Sequence, residues 1–214
     1  MKKIIAFYRK CRSSKTNFLL LVLRAMHFKL VFRKTILVHQ RVSISGVKNI
    51  SASGKLEIGT DYVGFTHRRD ITYLNIKGKL KLAGPYSIGR GCRIDIEKDG
   101  EVSIGHGGYI NANTNLIIMH GLSIGNDCVI SWNCQFLDED FHSIHYEGRK
   151  EGRPEIVLGN KVWVGCGVKI YKGTHIADGC VIAADSVVRG IFTQPNALIG
   201  GNPARVLKEN IGWE

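Results

Sequence analysis

The chain has 214 residues, 44% of them hydrophobic and 22% charged, which fits one large globular domain with an extension and excludes an intrinsically disordered chain. Its 25 glycines stand against only 4 prolines, a composition suited to a repetitive fold with many corners. The formal charge of +12 is not spread evenly: 13 of the 30 Lys and Arg precede Glu57, the first acidic residue, and the other 17 meet 18 Asp and Glu in a near-neutral body.

Residues 1–40 form a basic, apolar extension, expected to be helical or irregular. Its centre, NFLLLVLRAMHFKLVF, is interrupted by Arg24, His27 and Lys29, and is too short and too charged to span a bilayer. A localised basic segment of this kind serves as a surface for anionic lipid, nucleic acid or an acidic partner. Two readings stay open: a helix in the membrane interface, or a helix packed on the body or on a neighbouring subunit. No signal peptide is evident, because the apolar run from Phe18 to Leu23 ends at Arg24. The six cysteines show neither a CxxC pair nor zinc-type Cys/His spacing, which predicts a reducing, cytoplasmic setting.

From residue 41 to 195 the chain is turn-rich and β-prone. An aliphatic residue returns every six positions at Leu158, Val164, Ile170, Ile176, Ile182 and Val188. The same spacing links Ile88 to Ile94, Ile104 to Ile110 and Leu116, and Ile118 to Ile124, Ile130 and Phe136. Six fits neither the 3.6 period of a helix nor one continuous strand of ordinary length. Glycine follows Ile88, Ile104, Ile124, Leu158 and Val164, and the slot four after each aliphatic is small or β-branched. Cys92, Cys128, Cys134 and Cys180 occupy that slot, so these four are read as buried fillers.

A short strand plus a corner per hexad makes a triangular prism. Three hexads return the chain to its direction one strand spacing higher, about 4.8 Å. The aliphatics then stack along the axis, and the coils must stack to bury a core. The period does not fix the hand of the winding.

The [LIV]-G-x-x-[small]-x pattern resembles the hexapeptide-repeat acyltransferases, in their galactoside, maltose and polysaccharide O-acetyltransferase branch. The likeness runs from about residue 42 to 208. It is carried by ANTNLII (Ala112 to Ile118), DEDFHSI (Asp138 to Ile144), and GNKVWVG (Gly159 to Gly165) continuing to GGNPARVLKE (Gly200 to Glu209). The resemblance implies an all-β, left-handed parallel β-helix, a homotrimer with active sites between subunits, and acetyl-CoA as co-substrate with no metal. A segment from 196 to 214 would contribute to CoA binding.

The hexads break once in this reading, at 137–157, LDEDFHSIHYEGRKEGRPEIV. An excursion from a rigid scaffold is a usual seat of function. His142 matches the family's catalytic histidine, and a histidine suits the task of taking a proton from an attacking hydroxyl. Asp138, Asp140 and His145 are candidates for substrate contact; the two aspartates are equally candidates for orienting His142 or for solvating the loop. Asn113, Trp163, Cys166, Ala184, Arg205 and Lys208 match donor-site positions. Arg189 stands where the family has a Thr-Lys pair, keeping one positive charge there.

The implied activity is acetyl transfer to a hydroxyl of a sugar or cell-envelope polysaccharide, in the cytoplasm or peripherally on the inner face of the membrane. Alternatives at this stage are N-acetylation of an amino sugar or antibiotic, a β-helical carbonic anhydrase, and a non-catalytic scaffold. Carbonic anhydrase chemistry needs three histidines on a metal, and the chain's histidines show no such pattern. Nucleic acid is not expected as a partner, since the body is neutral and the excursion acidic.

Overall fold

A computed structural model describes the backbone of residues 2–214 except 62, 144, 146 and 148–152, and side chains from residue 5 onward. Ile144 of the FHSI motif and part of the 137–157 excursion therefore lie outside the described residues.

The hexads fold as short parallel strands on three faces of a left-handed prism. Each strand is only two to five residues long, and the chain moves to the next face at every corner. The first face has nine strands, starting at Ile36–Val38 and ending at Leu198–Gly201 with an antiparallel Ala204–Lys208 beside it. The second face runs from Val42–Ser45 to Val187–Val188, and the third from Ile50–Ala52 to Ile191–Phe192, with seven strands each. In the regular part, Trp163 opposes Val181, Lys169 opposes Val187 and Val157 opposes His175, each 18 residues on, which is three hexads per coil.

The period-two alternation inside each strand sends the hexad aliphatics to the axis. Ile88, Ile110, Ile130, Val164, Ile182 and Ile199 stack up the first face, all essentially buried. Leu74, Ile94, Leu116, Phe136, Ile170 and Val188 do the same on the second. Burying each such side chain is worth about 1.5–3 kcal/mol over leaving it exposed. The four slot cysteines are fully buried free thiols at the corners. Each Sγ bonds a carbonyl of the next coil: Cys92 to Asn111 (3.1 Å), Cys128 to Gly159 (3.0 Å), Cys134 to Gly165 (3.2 Å) and Cys180 to Gln194 (3.2 Å). Burial pushes the Cys92 and Cys134 thiols up to about 12 and Cys128 to about 11, so they stay protonated and unreactive.

The extension is two helices, α1 (Lys2–Ser13) and α2 (Phe18–Phe32). Asn17 caps α2 by accepting from the Leu20 N–H at 3.0 Å, and Arg33 in the left-handed conformation ends it. One side of α2 covers the open end of the prism with Phe28 and Phe32, and Leu21 is buried on the same side of the helix. Its Arg24 donates to the carbonyls of His39 (3.2 Å) and Val42 (2.8 Å), and Lys34 donates to those of Ile50 and Lys48. These cations satisfy strand-end groups that would otherwise form an exposed edge. The packing reading of the extension thus describes one side of α2, while the other side remains exposed. The first strand begins at Ile36, ahead of the expected start at 41, because α2 already ends at Phe32. Parallel pairing also continues past 195, to Leu198 and Ile199.

The junction of extension and prism carries buried charge. Glu57 accepts from Lys10 at 2.6 Å, from Lys55, and from Thr60 at 3.0 Å. Burial opposes its ionisation, but the two ammoniums overcome this and hold it below the usual carboxylate range. His39, fully buried, is pushed down to about 4 by burial and by the nearby Arg90. Both shifts act in the same direction in acid. Below pH ~6.5 the unfolded chain takes up a proton that native His39 refuses, so stability falls toward pH 4. Below pH ~4.3 the Glu57 contribution is lost as well. Thermal unfolding should therefore be flat between about pH 7 and 8 and fall from 6.5 downward, with a separate fall above about pH 8.5, where the unfolded thiols ionise and the buried ones do not. His39→Gln should flatten the slope between pH 6.5 and 4; an unchanged slope would contradict this origin.

Candidate active site

Two corners flank the second face, and the expected site residues divide between them. At the corner between first and second faces each coil places one residue in the left-handed conformation: Gly91 (φ 79°), Asn113 (59°), Asn133 (60°), Gly167 (70°) and Asp185 (58°). Backbone bonds stack them coil on coil, from the N–H of Asn133 to Ala112 (3.0 Å), of Gly167 to Trp132 (3.1 Å) and of Asp185 to Cys166 (2.9 Å). A Cβ on Gly91 would lie 1.9 Å from the Asn113 Oδ1, so the asparagine side chain fills the space that glycine leaves. Asn113, Cys166 and Ala184 therefore share one edge, with Ala112 and Trp132 in the same column. Above Trp132, the small side chains of Cys166 and Ala184 leave the backbone open to close approach.

The same edge leads to the C-terminal segment. Gly201 N–H donates to Ser186 Oγ at 3.1 Å, and the chain turns there into Ala204–Lys208. Arg205 and Lys208 are exposed on that strand. Trp163 lies on the first face, 41% exposed, with Nε1 donating to Ser131 Oγ at 3.2 Å. Trp213 packs against it with ring centroids 6.0 Å apart and donates to the Lys161 carbonyl at 3.1 Å. Sequence reasoning missed Trp213, which lies beyond the last matching motif.

Arg189 does not join this group. It follows Val187–Val188 at the opposite corner of the second face, with Nη2 3.7 Å from Asp140 Oδ2. That opposite corner is where the excursion leaves, between Gln135–Leu137 and Ile156–Leu158. Asp140 is engaged by Lys172 at 2.7 Å. Glu139 accepts from the N–H groups of Asp140 (2.7 Å) and Phe141 (3.3 Å) and pairs with His120 Nε2 at 2.8 Å. The His120 contact, with the backbone N–H groups, holds Glu139 below the usual carboxylate range. His120, Glu139 and Lys172 carried no motif signal.

Asp138 requires a correction. It is fully buried, and its carboxylate accepts from the N–H groups of Met119 (2.7 Å), His120 (2.8 Å) and Gly121 (2.7 Å). Three converging backbone donors make it the anchor of the excursion to the corner below, not a substrate ligand or a partner for His142. Asp140 faces the cations Lys172 and Arg189, and no described hydrogen bond joins it to His142. Phe141 takes a left-handed conformation (φ 60°) immediately before His142, and His142 and His145 are exposed. Among the described residues, no group of three or more His, Cys, Asp and Glu could hold a metal.

Comparisons with known proteins agree with this architecture. The model of the bacterial transferase hexapeptide (six repeats) matches residues 155–190. A 24.8 kDa protein in the cps region of Klebsiella pneumoniae is 38% identical over 216 residues, covering 100% of this chain and 97% of that one. The galactoside O-acetyltransferase of Escherichia coli is 35% identical over 111 residues, 50% of this chain and 54% of that one. Among solved structures, a polysialic acid O-acetyltransferase superimposes with a TM-score of 0.60 at 25% identity, over 81% of this chain and 86% of that one. A hexapeptide-repeat acetyltransferase of Vibrio cholerae gives 0.50 at 30% identity, over 58% and 70%. The corner columns, the interrupting loop and these likenesses converge: the chain belongs to the hexapeptide-repeat family of acetyltransferases.

Proposed function

We propose that this acetyltransferase moves the acetyl group of acetyl-CoA to a hydroxyl of a cell-envelope polysaccharide, with His142 as general base. His142 takes the hydroxyl proton as the oxygen attacks the thioester carbon, and returns it to the departing thiolate. A backbone N–H is the candidate donor to the transient oxyanion. The donor would run along the edge of Asn113, Cys166 and Ala184, past Trp163, with its phosphates toward Arg205 and Lys208. Small side chains there suit a pantetheine arm, and two exposed cations suit phosphate.

The observation that carries the reading is the division of the site. Within one chain His142 leaves one edge of the second face and the donor residues occupy the other. A homotrimer in which the excursion of one copy meets the donor edge of the next reunites them. The glycan acceptor is supported by the likeness to the polysialic acid enzyme. A lipopolysaccharide biosynthesis O-acetyl transferase of Escherichia coli, 26% identical over 64% of this chain and 75% of that one, supports it too. Thiol release from acetyl-CoA in the presence of a panel of cell-envelope glycans tests the reading: release that depends on one glycan and yields its O-acetyl ester supports it, and release with none contradicts it.

The extension supplies a peripheral contact with anionic membrane, at the inner face. No described helix is long and apolar enough to cross a bilayer. On its free side α2 exposes Leu19, Leu23, Met26 and Leu30, which fall on one helical stripe, with exposed Lys29 and Arg33 nearby. Free cysteines and the absence of acidic residues before Glu57 suit a reducing compartment and an anionic surface. The full chain should co-sediment with phosphatidylglycerol vesicles and not with phosphatidylcholine alone, and Leu23→Gln with Leu30→Gln should reduce binding about tenfold. Equal binding to both vesicles would contradict the contact.

A further inference from the structure

The prism has a second excursion. At the corner between first and second faces the later coils spend four residues, as at 89–92, 111–114, 131–134, 165–168 and 183–186. Between Leu56–Ile58 and Thr72–Ile76 the same corner takes thirteen, 59–71. The extra chain is organised by its own bonds. Thr66 donates to the Val63 carbonyl through its N–H (2.8 Å) and its hydroxyl (2.9 Å), and is buried. Asp70 accepts from the His67 N–H at 2.7 Å, and the Asp70 N–H returns to the His67 carbonyl at 3.1 Å.

These two turns hold Phe65 out over the corner column. Its ring meets Trp132 edge to face with centroids 5.6 Å apart, yet Phe65 stays 53% exposed and Trp132 39%. Two large aromatics that touch and still face solvent form a platform, because their remaining faces have no protein to cover them. Arg68 and Arg69, both exposed, stand three and four residues beyond Phe65. Among the described residues no acidic side chain pairs with either: of the two carboxylates inside the loop, Asp61 is engaged by Lys10 and Ser87, and Asp70 is turned to the His67 N–H. Trp132 also lies in the column between Ala112 and Cys166, on the side of Cys166 away from Arg205 and Lys208.

We infer that Phe65 and Trp132, with Arg68 and Arg69, form an acceptor subsite for an acidic glycan. A sugar ring lies on the aromatic platform, and the guanidiniums bind a carboxylate carried by a neighbouring residue of the same strand. The inference rests on the acetyltransferase reading for the word acceptor, but the binding surface stands on the loop itself. An aromatic platform takes the apolar face of a sugar at little entropic cost, and arginine pairs with carboxylate through two parallel hydrogen bonds. The rival occupant is the adenine and phosphate end of the donor. It is disfavoured because the exposed cations of the C-terminal strand stand beyond Ala184, more than one coil away from Trp132 along the same edge.

Calorimetry on the full chain without acetyl-CoA tests the subsite. The probes are a uronic-acid-containing oligosaccharide and its carboxyl-reduced, neutral counterpart. The acidic form should bind about tenfold more tightly than the neutral one. Arg68→Gln combined with Arg69→Gln should remove that difference, and Phe65→Ala should weaken both probes about tenfold with unchanged thermal unfolding. Equal binding of the two probes to the unsubstituted chain would overturn the proposal. So would loss of coenzyme A binding, in place of oligosaccharide binding, in the double variant. Because no donor is present, failure here is read separately from failure of His142-dependent transfer.

Discussion

Replacing His142 with alanine should lower acetyl transfer about 10²–10⁴-fold, the range that a positioned general base contributes. The side chain is exposed and no described hydrogen bond engages it, so its removal leaves no cavity and no orphaned buried partner. Thermal unfolding, oligomer mass and far-UV circular dichroism should match the unsubstituted chain. The expected signature is a fall in kcat with little change in the KM for acetyl-CoA, because the proposed donor edge draws on other residues. A variant keeping most of its activity would remove His142 from the mechanism. His145→Ala separates the two histidines of the excursion: a loss of similar size there would shift the role three residues along.

Asp138→Ala should cost about 3 kcal/mol or more locally and disable the enzyme without touching substrate. The carboxylate accepts from three backbone N–H groups, of Met119, His120 and Gly121, in a fully buried setting. Truncation leaves those donors unsatisfied, at about 1–3 kcal/mol for each group that water cannot reach. The excursion that carries His142 starts at this residue, so the anchor and the chemistry fail together. Hydrogen exchange at 119–121 should rise, and denaturant midpoints should fall. Asp138→Asn, which keeps one acceptor oxygen, should recover part of the stability. A stable Asp138→Ala variant with raised KM for the glycan alone would instead restore the substrate-contact reading.

The prism was legible because its code is repetitive. One buried aliphatic per six residues, with small residues at the corners, specifies strand, corner and axis at once, and the coils from Leu158 to Val188 follow it without interruption. The slot cysteines were legible for the same reason. Asp138 was not, because an aspartate in a polar loop looks the same whether it caps backbone or binds a ligand. Only the arrival of 119–121 from the coil below distinguishes the two. The 59–71 excursion was missed because it carries no family motif and falls where the hexad phase was not yet established. Its signal was the interval from Ile58 to Thr72, which holds Phe65, His67, Arg68 and Arg69 but no aliphatic stacked in the core. The early start at Ile36 was hidden by the apolar α2, whose composition runs into the first strand without a break.

The division of the site between two edges of the second face is the central claim, and mixing two inactive variants tests it most directly. His142→Ala lacks the base, and Ala184→Trp fills the donor edge. Each alone should be inactive. Unfolded together and refolded as mixed oligomers, they should recover a substantial fraction of the unsubstituted activity. In some interfaces an intact His142 from one copy then meets an intact donor edge from the other. If mixed oligomers form, as mass measurement would establish, and no activity returns, each site is contained within one chain and the shared-site account is wrong.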